Sequence, residues 1–516
     1  MSDPAETANG VPVVRVFDTL TRWVRPLTTP SDHPEGEAKP SGMSLRVVFS
    51  FSAGALPLSA MGIAGQIYLQ PYMAKDLGLS LVTIAAAFFI VRMADLGVDP
   101  LLAVIMDRTR SPIGRYRLWM FIGMPVLAVA IYALYFAKPG ITETYLVIWL
   151  FTQALGGSLI GLARAAWSAN LVTQYDQRSR FYGYQAALGA VGTFIALFIP
   201  VLAPPIAKLM HLPQPNNVHV IGWTVLALMP IGGLITGLLV PEKINVDVPA
   251  HQRFAARDYW ELATKPEVMR LSFSAFALTL GPGWMANLYL FFFVDARGFT
   301  EQTSSGLLIF YVAAGVAAAP FVGLIGSRFS KHRTMIGATI LYSIGLCSVV
   351  ILPKANFWAT APVMMWCGAS AIGFDLMTSA MMADVGDQVR LDQGKERMAL
   401  LFALTGLAAK LASAGAVIIS YPLLQWAGYQ PKAGAHNTPA AINHLEAIFI
   451  IGPIFWVALG GLCFLGWKLD AAKHAGIRRD LDARDALIAA ALDAGRVSNF
   501  GNEAAEIEAL RLVDAG

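Results

Sequence analysis

The 516-residue chain is 56% hydrophobic and only 14% charged, with a mean hydropathy of +0.55, which is too apolar for an ordinary soluble fold. A formal net charge of +4 does not point to a nucleic-acid partner. Cys347, Cys367 and Cys463 all fall in apolar runs, so their spacing supports neither a disulfide framework nor a zinc cluster and they read as packed core thiols.

Residues 1–43 are polar, with prolines between Pro26 and Pro40, and lack the pattern of a secretory signal, so insertion is expected to use the first span itself. Within that tail Val13, Val16, Leu20, Trp23 and Leu27 recur at helical spacing, which reads either as a helix on the membrane surface or as a disordered segment. Apolar runs then predict spans over 46–74, 80–106, 118–137, 143–171, 184–207 and 219–240. A polar stretch from Pro241 to Lys265 precedes runs over 266–294, 302–326, 334–352, 357–386, 398–424 and 442–468. Each is long enough to cross roughly 30 Å of hydrocarbon as a helix. Helix is required because a lipid-embedded backbone has no water to bond. The expected architecture is all-α, with a six-helix bundle over 44–241, a cytoplasmic linker over 242–265, a second bundle over 266–468 and a C-terminal tail over 469–516. LDARDALIAAALDA and EAAEIEALRLV in that tail read as soluble amphipathic helix.

Alternate loops carry most of the arginine and lysine: Arg108, Arg110, Arg115, Arg117; Arg178, Arg180; Lys243, Arg253, Arg257, Lys265; Arg328, Lys331, Arg333; and Arg390, Lys395, Arg397. The opposite loops hold Lys75, Lys138, Lys208, Arg297, Lys354 and Lys432. This bias predicts cytoplasmic termini, in a membrane of the bacterial inner type. MDRTRSPIGRYR after the second span and GSRFSKHR after the eighth are basic turns at equivalent places, a weak internal repeat. Parallel six-helix repeats are expected in transporters that hold solute near the midplane.

Ionisable groups inside spans are costly and therefore informative. Arg92, Asp95 and Asp99 share one face of the second span, ahead of Pro100. Two carboxylates in one cavity take a proton or share a cation, sodium included. The structural alternative is that Arg92 neutralises Asp95 within the helix and a loop wets Asp99. On the fourth span Arg164 precedes Trp167 by about one turn, a cation and an aromatic platform suited to an anionic or sugar-like solute. The alternative has Arg164 paired with an intramembrane aspartate and Trp167 merely packed. Trp284 and Asn287 follow Gly281, Pro282 and Gly283 and are candidates for solute contact or simple packing. Asp375 and Lys410 lie inside the tenth and eleventh spans as potential partners. Asp107, Arg108, Arg115 and Arg117, with Asp384 and Asp387, are candidate gating charges at the cytoplasmic ends.

RMADLGVDP followed by DRTRSPIGRYRLW resembles the signature of the glycoside, pentoside and hexuronide cation symporters, the melibiose-permease-like branch of the major facilitator superfamily. WSANLVTQYDQRSR and MMADVGDQVRLDQGKERMALLFALTGLAAK are similar to two further family blocks, and the resemblance runs from about 44 to 468. It implies a major facilitator fold, cation-site carboxylates at Asp95 and Asp99, an aromatic beside the solute at Trp167, and a lysine at Lys410 linking cation and solute sites. Departures are equally specific. Ser59 and Ala163 stand where the family has sugar-binding aspartates, and Gln185 where it has an arginine. Val98 replaces an amide and Ile160 a hydroxyl of the sodium site. The galactoside pocket is thereby lost, and proton coupling is favoured over sodium. Ser59 and Gln185 remain solute-site positions.

The expected function is symport of a glycoside-like or anionic organic solute with a cation, by a monomer without cofactor or nucleic acid. The alternatives are a lipid or lysolipid carrier, distinguished by a cavity open sideways to lipid with an apolar cleft beside Arg164, and a non-transporting sensor signalling through its C-terminal tail. Enzyme action is not expected, since no phosphate-cradling loop, metal-spaced cluster or nucleophile motif is present.

Overall fold

The computed structural model describes residues 44–171, 175–211, 213, 215–242, 262–393, 398–432 and 434–493. The N-terminal tail, most of the polar linker and the last stretch of the C-terminal tail lie outside these, as do Lys395 and Arg397. Twelve helices among the described residues are long and apolar enough to cross a membrane. They are α1 (Leu45–Lys75), α2 (Leu81–Arg108), α3 (Arg115–Tyr135), α4 (Glu143–Leu171), α5 (Tyr175–Leu209) and α6 (Asn217–Leu239). In the second half come α7 (Pro266–Ala296), α8 (Glu301–Phe329), α9 (Lys331–Ile351), α10 (Phe357–Gln393), α11 (Met398–Trp426) and α12 (Pro439–Leu462). A further helix, α13 (Ala471–Asp493), covers nearly all of LDARDALIAAALDA, while EAAEIEALRLV lies outside the described residues. Large apolar side chains such as Ile90, Tyr132, Trp223, Phe321 and Phe455 are exposed on the spans, where lipid rather than water is the compatible solvent.

The halves repeat in detail. In each, the third and fourth helices run along one another, α3 with α4 and α9 with α10. The first helix of each half contains a π-helical turn near the arginine-poor end, Gly65–Leu69 in α1 and Phe291–Ala296 in α7. Widened turns of this kind free backbone groups and recur at functional positions. Glycine sets the closest helix approaches. A Cβ on Gly192 of α5 would fall 2.2 Å from the Leu56 carbonyl oxygen of α1, and one on Gly368 of α10 would fall 1.9 Å from that of Tyr311 in α8. Between lipid-surrounded helices such small-residue contact supplies the packing energy that the hydrophobic effect does not.

Two compact units divide the chain: Met1–His251 with Ala286–Ile309 and Val417–Ile448, and Gln252–Met285 with Phe310–Ala416 and Phe449–Gly516. The first thus gathers α1–α6 together with the arginine-poor ends of α7, α8, α11 and α12. Polar contacts stitch that end. Tyr68 donates to Ser305 (2.8 Å), the Val82 amide donates to Gln425 Oε1 (3.1 Å), and Asn217 donates to Glu301 (2.9 Å). Lys75 of α1 pairs with Asp295 of α7 at 3.0 Å while lying 5.5 Å from the Phe291 ring, and the Tyr429 hydroxyl donates to the same carboxylate.

Candidate functional site

α2 places Asp95 in the core of the first unit, 4% exposed, with its carboxylate between two partners. Arg92, three residues earlier on the same face, reaches Oδ2 at 3.3 Å, and Ser158 of α4 donates to Oδ1 at 2.9 Å. Ser158 was not singled out from the sequence. It lies two residues before Ile160, which instead lines the cleft beside Arg164. Asp99 is partly buried on the same helix, one turn along. The Arg92 side chain is 38% exposed, so Asp95 is neutralised from the rim of the protein rather than from within it.

Arg164 of α4 is 6% exposed. Its Nη1 donates to the Phe51 carbonyl oxygen at 3.0 Å and its guanidinium lies 4.7 Å from the Phe51 ring. No carboxylate pairs with it among the described residues. Gly54 makes this possible: a Cβ there would stand 2.0 Å from Nη1. Beside the guanidinium runs a narrow cleft lined by Pro57, Leu58, Met120, Met124, Ile160 and Met229, with a cavity volume of about 20 Å³, room for about one water. Three methionines give such a wall a soft, re-packable surface.

Trp167 does not face that cleft. It is 1% exposed, donates from its indole nitrogen to the Pro241 carbonyl (3.2 Å), and meets Phe51 edge-on at 5.8 Å. Its other face carries the Arg117 guanidinium at 5.6 Å. Arg117 itself is buried at the start of α3 and donates to the carbonyls of Ile113 (2.9 Å) and Val240 (2.8 Å). Glu242 accepts from the Tyr116 and Arg117 amides (2.7 and 3.0 Å), capping α3 with a carboxylate where the helix dipole favours one. Burial nonetheless raises the Glu242 carboxyl above its ordinary value, the amide bonds opposing it. Arg117, Trp167, Phe51 and Arg164 therefore form one ladder of cation–ring and ring–ring contacts from the arginine-rich end into the unit.

The remaining predicted positions are placed as follows. Ser59 is partly buried against Gly189 of α5, and Gln185 of the same helix has a buried amide nitrogen without a hydrogen-bond partner among the described residues. Asn287 is 3% exposed and its carbonyl accepts from Tyr421 (3.3 Å). In the second unit Trp284 is buried against Gly452 of α12. α7 runs helically through Pro282, its loosened turn coming later, at Phe291–Ala296. Arg108 is exposed, Arg115 donates to the Tyr116 hydroxyl (2.7 Å), and the Asp107 side chain lies outside the described atoms. Asp384 pairs with Lys331 of α9 (2.6 Å), while His474 of α13 reaches Asp384 at 3.3 Å and Asp387 at 3.0 Å. Arg478 adds a further contact to Asp387 at 3.5 Å, so the tail helix is tied to both acids of α10. Asp375 faces a cavity between α7, α10 and α11, and Lys410 is partly buried on α11 outside that lining.

These features sit on a family match. A family model for MFS/sugar transport proteins covers residues 50–471. The chain belongs to this family. An uncharacterized symporter of Bacillus subtilis, YnaJ, is 24% identical over 439 residues, spanning 81% of this chain and 90% of that one. The sodium-dependent lysophosphatidylcholine symporter 1 of Gallus gallus is 21% identical over 464 residues, spanning 82% and 86%. Among solved structures, the nucleoside transporter NupG superposes with a TM-score of 0.60 at 13% identity, covering 83% of this chain and all of that one. The all-α major facilitator fold expected from the resemblance is thereby established, and the chain is a multi-pass membrane transporter of the symporter type within the MFS/sugar transport family.

Proposed function

We propose that this transporter couples uptake of an anionic organic or glycoside-like solute to a cation, by alternating access. The observation that carries the reading is Arg164: a guanidinium 94% removed from solvent, inside a span, with a carbonyl and a ring but no carboxylate for company among the described residues. An uncompensated buried charge costs several kcal/mol. A solute carrying a negative group supplies the missing counter-charge. Asp95, Asp99 and Ser158 take the coupling cation, with Arg92 as the internal substitute that holds Asp95 when the cation is absent. A proton is the favoured ion, and Ser158 enlarges the oxygen set in a way that sodium also accepts. The arginine-rich end, both termini and α13 lie in the cytoplasm of a cell with an inner-type membrane, and the protein acts as a monomer.

A second reading has its own observation. The cleft beside Arg164 is apolar and methionine-lined; at about 20 Å³ it admits an acyl chain only once its three methionines re-pack, and such a wall suits a lipid or lysolipid with an anionic head. Uptake into proteoliposomes of labelled glycosides, uronides and lysophospholipids, at two pH values and with sodium exchanged for potassium, separates the two. Arg164→Gln is expected to abolish uptake of the anionic solutes. Asp95→Asn or Asp99→Asn is expected to abolish uphill accumulation while sparing part of the exchange. Undiminished uphill uptake in both aspartate variants refutes the coupling assignment.

A further inference from the structure

A second intramembrane carboxylate has none of the compensation that Asp95 enjoys. Asp375 lies well inside α10, yet among the described residues it makes no ion pair and no hydrogen bond. Its side chain is exposed and opens onto a cavity of about 270 Å³ in the second unit. At about 30 Å³ per molecule that volume holds about nine waters. The other polar groups of the lining are hydroxyls: Thr279 of α7, Thr378 and Ser379 of α10, and Thr405 of α11. Thr405 spends its proton on the Phe402 carbonyl (3.0 Å), which leaves its oxygen free to accept.

No basic side chain belongs to the lining. The charged groups on the flanking helices are engaged elsewhere or set apart. Arg270 of α7 donates to the carbonyls of Cys463 and Leu465, Asp384 of α10 is held by Lys331, and Lys410 directly follows Ala409, the last lining residue of α11, without itself belonging to the lining. From α8 the phenol of Tyr311 is within electrostatic reach of Asp375, and it is shared with Tyr342 of α9. Neither phenol neutralises a carboxylate.

We infer that Asp375, with the hydroxyls of Thr279, Thr378, Ser379 and Thr405, is a second site for a monovalent cation, separate from the Asp95 cluster and reached through its own water-filled cavity. A carboxylate and four neutral oxygens are hard ligands for sodium, and the same carboxylate takes a proton directly. The two ions share one chemistry here, charge neutralisation of Asp375, and differ in whether the hydroxyls contribute. An ionised carboxylate here is tolerated while the cavity holds water and costs free energy in any state that closes the cavity, so its loading sets a second cation step in the cycle.

The test uses the full-length protein in detergent and dicyclohexylcarbodiimide, which modifies protonated carboxyls in apolar surroundings. Peptide mass spectrometry then reads modification at each aspartate. Asp375 is expected to be modified, with a rate falling about tenfold per pH unit above the carboxyl's own titration. If sodium is the ion, sodium chloride slows modification relative to choline chloride at equal ionic strength, and Thr378→Val with Thr405→Val weakens that protection. If the proton is the ion, sodium has no effect. Both outcomes support the site and distinguish its occupant. Absence of modification at Asp375 across about pH 6 to about pH 9, in protein whose thermal unfolding is normal, overturns it, as does a rate unaffected by both pH and sodium. Asp95→Asn is expected to leave labelling of Asp375 intact, so failure of the Asp95 assignment and failure of this one are read separately.

Discussion

Replacing Lys75 with methionine is expected to loosen the arginine-poor end of the first unit. The Lys75–Asp295 pair spans 3.0 Å with the two side chains only 16% and 26% exposed, so it is intermediate between a surface bridge and a buried one. Removing one partner of such a pair is worth about 1–2 kcal/mol. That shifts an open–closed equilibrium about 5–30-fold. Methionine also leaves Asp295 with the Tyr429 hydroxyl as its remaining partner among the described residues, a bond that cannot neutralise it. The shift is read from Ser305, which is fully buried and accepts from Tyr68, by introducing Ser305→Cys after replacing Cys347, Cys367 and Cys463. A membrane-impermeant maleimide is expected to react several-fold faster in Lys75→Met and in Asp295→Asn, and the charge-swapped double variant is expected to restore the slow rate. Unchanged reactivity in both single variants means that the pair does not hold this end closed.

Two further outcomes follow from neighbouring groups. Partial burial, and then the nearby Glu301 carboxylate, hold the Asp76 carboxyl above its ordinary range, while Lys75 and His219 oppose the shift. The closed arrangement therefore binds more protons than a hydrated, opened one, so it is favoured in acid and loses ground as pH rises from the ordinary carboxyl value through the raised one. Asp76→Asn is expected to remove that slope from the Ser305→Cys reaction rate, measured against a fully exposed reference thiol. At the other end, replacing His474 and Arg478 together with alanine is expected to release α13 from α10, seen as faster amide exchange and earlier proteolysis between Ala471 and Arg484. Protection equal to that of the unaltered protein would show that the buried Ile477 and Leu481 hold the helix unaided.

Local pattern made the spans legible, because lipid leaves helix as the only solution and apolar length marks each crossing. Where boundaries moved, the cause is visible. α10 runs on to Gln393, past the predicted 386, because its last turns continue into polar surroundings where apolarity no longer marks helix. α12 ends at Leu462 although the apolar run reaches 468: Gly466 adopts a positive φ of 68°, and Arg270 collects the carbonyls of Cys463 and Leu465. The charged triad of α2 was legible from its spacing, since i and i+3 on a helix share a face whatever the tertiary fold. Ser158 was not, because a serine among apolar residues carries no sign of which helix it faces. Nor was the pairing of Lys75 with Asp295, which joins residues 220 apart and sits at the edges of runs where charge is ordinary. The docking of α13 was hidden for the same reason, its amphipathic face being readable but not the acids it would meet.

Among the described residues the buried Asp95 and Arg164 and the exposed, cavity-facing Asp375 are compensated unequally, and that inequality orders the steps of the proposed cycle. Asp95 already holds Arg92 and Ser158, so a cation arriving there must displace an existing partner, and its net gain is the difference between the two. Arg92 is the more exposed member of its pair, which makes it the group that yields. Arg164 and Asp375 have no such substitute among the described residues, so a ligand's charge acts on each at close to its full value. An anion at Arg164 is therefore the stronger lever on the first unit, and a cation at Asp375 the stronger lever on the second. Exchange at Asp95 then gains less binding energy per ion, while remaining the step through which uphill accumulation is coupled. On this ordering, Arg92→Ala leaves Asp95 avid for its cation and slows its release, so half-saturation for the coupling ion should fall while the maximal uptake rate falls with it.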